Sequence, residues 1–72
     1  MSRIERDAEA DTAYVYVADA IGDGEAVHQT RVEPPNSGAE IILDFDAQGM
    51  LLGVEILGAS RVLRADPRGG QE

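Results

Sequence analysis

Asp7, Glu9 and Asp11 occupy every second position in the stretch DAEADTAYVYV, residues 7–17. Alternating carboxylates are how an oxygen-ligand set for a hard divalent cation begins. A calcium loop of the helix–loop–helix kind also needs a glycine at its sixth position and a bidentate glutamate at its twelfth. Counted from Asp7, those positions hold Thr12 and Ala18, so that loop is not encoded. A looser acidic cluster of Asp7, Glu9 and Asp11 is left as a set of candidate metal ligands. A structural reading stands beside it, because Asp side chains accept local backbone hydrogen bonds in turns. On that reading Asp7 or Asp11 orders the bend that feeds the strand at Tyr14.

Asp44 and Glu55 form a second pair of candidates. Two carboxylates act as acid and base when their surroundings push their pKa values apart, but no nucleophile or second histidine accompanies this pair. Pairing with Arg31 or Arg61 is the plainer expectation. The single histidine, His28, is of a residue type that serves as a general base, yet alone in a polar strand it reads as a surface residue. Gly22 and Gly24 make a G-x-G without the third glycine or the helix start that a phosphate loop requires. No catalytic residue and no cofactor are expected.

The elements that position these residues are mostly strands. TAYVYVA, residues 12–18, is rich in β-branched and aromatic residues, with Tyr14 and Tyr16 on one face and Ala13, Val15 and Val17 on the other. SRIE is a short edge strand, residues 19–26 a loop, and residues 26–33 a weaker strand. PPNSG, residues 34–38, is a turn, since its prolines lack ladder donors. AEIILDFD and MLLGVEIL, residues 39–46 and 50–57, form a hairpin through DAQG, with Asp46 opening a type I turn and Gly49 at positive φ. Pairing Phe45 with Met50 puts Ile41, Leu43, Leu52, Val54 and Ile56 on one face. The other face mixes Glu40, Asp44 and Glu55 with Ile42, Leu51 and Leu57. An antiparallel sheet normally shows water a polar face, so Ile42, Leu51 and Leu57 are the expected interaction face, covered by a C-terminal helix or a second chain. Residues 58–65 suit a short helix with Ser60 as its cap, and residues 66–72 a disordered tail.

The chain has 72 residues, no cysteine, 14 acids against 6 arginines and a net charge of −8. Residues 1–65 therefore make one small β-rich domain. A chain this short buries only about 60% of its unfolded surface, and small scaffolds commonly recover the deficit through disulfides, metals or partners. Without cysteine the first route is closed, which points to self-association. The acidity opposes nucleic-acid binding, which depends on cations releasing counterions. The start MSRIERDAEAD has no apolar signal core and no run approaches a membrane span, so a cytoplasmic protein off the membrane is expected.

The residues DAEADTAYVYV and IILDFDAQGMLLGVEILGAS resemble the small prokaryotic proteins grouped as domain of unknown function 2283. Members read Tyr-Asp-x-Glu-Ala-Asp-Ala-Leu-Tyr-Ile early in the chain and Ile-x-Leu-Asp-Tyr-Asp, then Gly-Ile-Glu-Ile-Leu-x-Ala-Ser, later. Asp7, Glu9, Asp11 and Tyr14 fit the first motif, with Arg6 where tyrosine is usual; Asp44, Gly53, Glu55 and Ser60 fit the second. The resemblance covers roughly residues 4–63. It implies a small antiparallel β-meander with a short C-terminal helix and brings no catalytic residues. An antitoxin-like role follows from it only by association with small toxin-like neighbours.

The expectation is an α+β, mostly β fold: a meander of four to five antiparallel strands with a short C-terminal helix. The function expected is a non-catalytic interaction module acting as a homodimer or bound to a small protein. Two alternatives are an acidic antitoxin-like partner of a small basic protein, and a divalent-metal or small-ligand binder using the acidic residues.

Overall fold

The computed structural model describes residues 3–64. Five strands, β1 (Arg3–Asp7), β2 (Thr12–Tyr16), β3 (His28–Val32), β4 (Glu40–Phe45) and β5 (Leu51–Leu57), form one sheet, followed by a helix α1 (Ala59–Val62). All neighbours are antiparallel and the spatial order is β1-β2-β5-β4-β3. The meander is thus β3-β4-β5, and the β1-β2 hairpin joins it along β5. The expected tail at 66–72 lies outside the described residues.

Local chemistry accounts for the turns of two hairpins, β1-β2 and β4-β5. In the first, Asp7 Oδ1 accepts the N–H groups of Glu9 and Ala10, at 3.1 and 3.2 Å. Asp11 closes that turn in the left-handed region at φ 56°, which aspartate tolerates better than most residues. In the second, Asp46 Oδ1 accepts from Gln48 and Met50, both at 2.9 Å. The N–H of Gly49 reaches the Asp46 carbonyl at 3.0 Å, with φ 83°. Phe45 pairs with Leu51 rather than Met50, and the register shifts at Asp44/Phe45. Beyond that bulge Ile41 faces Ile56 and Leu43 faces Val54. From Glu40 to Asp44 the true register differs from the expected one by two residues, and at Phe45 by one. An even slip leaves side chains on their own faces, so the two expected faces survive on the far side of the bulge from the turn.

One face carries Ala13, Val15, Ile41, Val54 and Ile56, and α1 lies on it. Ala13, Ile56 and Ala59 are the buried centre, with Val62 and Leu63 packed alongside. Alanine on both sides lets the helix approach the sheet closely. This corrects two expectations. The helix spans four residues instead of eight, and it covers the Ala13–Ile56 face, not the face of Ile42, Leu51 and Leu57. A four-residue helix is far below the length that is stable alone, so it exists where it finds the deepest apolar contact. Ser60 does not cap it: the N-cap is Gly58, in the left-handed region, with no side-chain cap of its own.

Candidate functional site

The opposite face holds a polar cluster around Asp44. Tyr14 sits on β2 and Asp44 on β4, with β5 between them. The tyrosine ring crosses β5 over Gly53, and its hydroxyl donates to Asp44 Oδ2 at 2.7 Å. Gln29, on β3, donates from Nε2 to Asp44 Oδ1 at 2.8 Å. One carboxylate therefore ties together three strands and bridges a fourth. The crossing is possible because Gly53 has no side chain: a Cβ there would lie 2.5 Å from the Tyr14 hydroxyl. Asp44 is 6% exposed, and neither ion pair among the described residues involves it. Two hydrogen bonds to a buried carboxylate take the place of a counter-charge.

The cluster extends towards β1. The Tyr14 and Tyr16 rings meet edge to face, 4.8 Å between centroids, and the Arg3 guanidinium lies 3.9 Å over the Tyr16 ring. Burial, then the hydrogen bond and negative charge of Asp44, hold the Tyr14 phenol well above its ordinary pKa of 10.0. A tyrosine so shifted is a hydrogen-bond donor and not a base or nucleophile. The arrangement locks strand order.

Glu55 shares this face, opposite both Tyr14 and Ile42, and the true register brings it closer to Asp44 than the expected one. Arg31 pairs with Glu40 at 3.7 Å, so the expected partnership of Asp44 with an arginine is replaced by Tyr14 and Gln29. Two open hollows lie on this face, one of them against Tyr14. One, of about 260 Å³, is lined by residues including Glu5, Asp7, Tyr14 and Glu55; the other, of about 250 Å³, by Gln29, Arg31 and Ile42. Both fall below the about 300 Å³ at which small-molecule pockets begin. Of the expected interaction residues, Ile42, Leu51 and Leu57 are each half-buried. His28 is exposed at the start of the edge strand β3.

The opening acids have separate tasks. Asp7 orders its own turn. Asp11 reaches 49 residues along the chain: its Oδ1 accepts the Ser60 N–H at 2.9 Å and its Oδ2 the Ser60 hydroxyl at 2.8 Å. Its backbone carbonyl also accepts the N–H groups of Gly58 and Ala59, at 2.9 and 2.8 Å. Asp11 thus supplies the cap that α1 lacks within its own sequence. No three His, Asp or Glu side chains converge as a metal set among the described residues. The bonds from the Ser60 hydroxyl and N–H, helped by the Arg6 and Arg61 charges, hold the Asp11 carboxyl below its ordinary 3.8. A lowered folded value means the latch contributes stability above the unfolded pKa and loses it as pH falls through the folded one. Acid titration followed by NMR is therefore expected to release the Ser60 amide from α1's docked environment in step with Asp11 protonation. Asp11→Asn, which keeps one acceptor oxygen, is expected to abolish that step. An unchanged Ser60 titration in the variant would refute the latch.

Residues 3–60 match the family described as a protein of unknown function, DUF2283. The chain belongs to the DUF2283 family. The match runs from β1 to Ser60, so the DUF2283 segment contains Tyr14, Asp44 and Gly53 as well as both ends of the Asp11–Ser60 latch. No curated protein and no solved structure matches the chain. No helix among the described residues of this DUF2283 protein is long and apolar enough to cross a membrane. Two features of the DUF2283 site escaped sequence reasoning. Gln29 carried no signal. Gly53 did carry one: a glycine inside an apolar strand marks close approach of another group.

Proposed function

We propose that this DUF2283 protein is a small cytoplasmic interaction module, without catalytic chemistry of its own, that works as a homodimer. The observation that carries this reading is how little the protomer buries. Its buried apolar residues are Ala13, Ala39, Leu52, Ile56 and Ala59 among those described, and three of these are alanine. No described side chain is both large and fully buried. A one-layer sheet needs a second layer over its apolar face to be stable, and a four-residue helix is a small one.

Sedimentation equilibrium across the micromolar range tests the reading. A species of twice the chain mass is expected, with a melting temperature that rises with concentration, since association stabilises only the folded form. A fully folded monomer throughout that range would end it.

A second reading, an acidic partner for a small basic protein, draws on charge segregation. Every acid within a strand, Glu5, Asp7, Glu40, Asp44 and Glu55, lies on the Tyr14 face by register. Such a face attracts a cationic surface at long range, and strong dependence on salt is the expected mark of that partnership.

A further inference from the structure

We infer that a second copy of this chain docks on the α1-bearing face of the sheet, forming a two-layer sandwich around the apolar row Ile4–Val15–Val54–Leu43. The inference rests on the homodimer reading above and names its surface. These four side chains stand in register across β1, β2, β5 and β4. None is buried, and Ile4 is 58% exposed. The neighbouring row ends at Val32 on β3, 45% exposed. A four-residue helix is about 6 Å long, whereas five strands span about 19 Å. Hence α1 covers one part of the face.

Three observations select a second copy on this face. First, a chain of net charge −8 repels its own copy, and this is the face that carries no acid at any strand position. Its charged strand residue is Arg6, with His28 at one corner. The Tyr14 face, with five carboxylates, opposes self-association. Secondly, both sheet edges carry charge: Arg3, Glu5, Arg6 and Asp7 on β1, and Arg31 on β3. Charged edge strands resist edge-to-edge pairing. Thirdly, the molecule measures 37 × 27 × 19 Å, so a broad face is large enough to supply the about 800 Å² per partner that a standard interface buries. A two-fold arrangement of identical faces lets each Ile4 contribute twice.

The test compares the native chain with the double variant Ile4→Glu/Val32→Glu, both sites being exposed in the protomer, and with Ile42→Glu on the other face. Circular dichroism reports folding and sedimentation reports association. Burying unpaired charge at a two-fold interface is expected to weaken the dimer by about a hundredfold or more, with Ile42→Glu leaving it intact. Methyl NMR with a soluble paramagnetic probe reads the native chain directly and is independent of whether a variant folds. Leu43 and Val54 are expected to become shielded as concentration rises. A dimer shielded at Ile42 and Leu57 instead, or one unaffected by the double variant while Ile42→Glu dissociates it, overturns this surface and leaves the homodimer standing. A native chain that stays monomeric overturns the homodimer itself.

Discussion

Gly53→Ala is expected to destabilise the domain by about 2–3 kcal/mol, although alanine is normally the better strand residue by about 0.5–1 kcal/mol. The reason is the tyrosine above it. A Cβ at position 53 would lie 2.5 Å from the Tyr14 hydroxyl, 2.6 Å from Cε2 and 2.7 Å from Cζ, closer than carbon atoms approach without displacement. The ring must lift, and lifting it breaks the bond to Asp44 Oδ2. A hydrogen bond to a charged group is worth about 1.5–3 kcal/mol, and a buried acceptor left short adds to the loss. A domain of 72 residues has only about 4–11 kcal/mol in total, so a fall in melting temperature of about 10–20 °C is expected. Gly53→Val is expected to cost more. Thermal unfolding of Gly53→Ala, Tyr14→Ala and the double variant forms a cycle: once the ring is gone, alanine at 53 loses its penalty. Additive effects would show that the two positions do not meet.

Asp44→Ala is expected to lower stability by about 2–4 kcal/mol, because it leaves the Tyr14 hydroxyl and the Gln29 amide without their acceptor and opens a gap at a buried site. Asp44→Asn is expected to recover part of the loss, since its carbonyl still accepts from one donor and the Gln29 amide can turn to accept from its N–H₂. Tyr14→Phe removes one donor and falls between them. Alkaline pH gives a second readout. The folded pKa of Tyr14 lies above the ordinary 10.0, so the unfolded chain gives up this proton first. The contribution is whole below pH 10.0 and is lost as pH rises through the folded value. The phenolate absorbance that distinguishes native protein from Tyr14→Phe is therefore expected to appear only with unfolding. A Tyr14 signal that rises in the folded state near its ordinary value would refute the contact with Asp44.

Most of the element pattern was legible from local chemistry. Alternation in TAYVY and EIILDF marks strands, and Asp46 with Gly49 marks the turn between β4 and β5. These are effects of near neighbours, so a single sequence carries them. The faces of β4 up to Asp44 and of its partners on β5 were also legible, because a two-residue error in register leaves faces unchanged. The partner of Phe45 was not, since the bulge between Asp44 and Phe45 depends on how the turn meets the ladder.

Long-range placement had no such local carrier. The order β1-β2-β5-β4-β3 puts Tyr14 one strand away from Gly53 and two from Asp44, and only then does a glycine within an apolar strand become the floor beneath a ring. Asp11 looked like one acid of three. Its distinguishing partner, Ser60, lies 49 residues away, and the bond between them forms because β2 and β5 pair side by side and bring their ends together. By itself the sequence determined the strands, their turns and the two faces, because propensity, turn chemistry and alternation act over a few residues. Only the tertiary structure decided which acid is buried, which one caps the helix and on which face α1 packs, because those outcomes depend on distances that exist only once all five strands have paired.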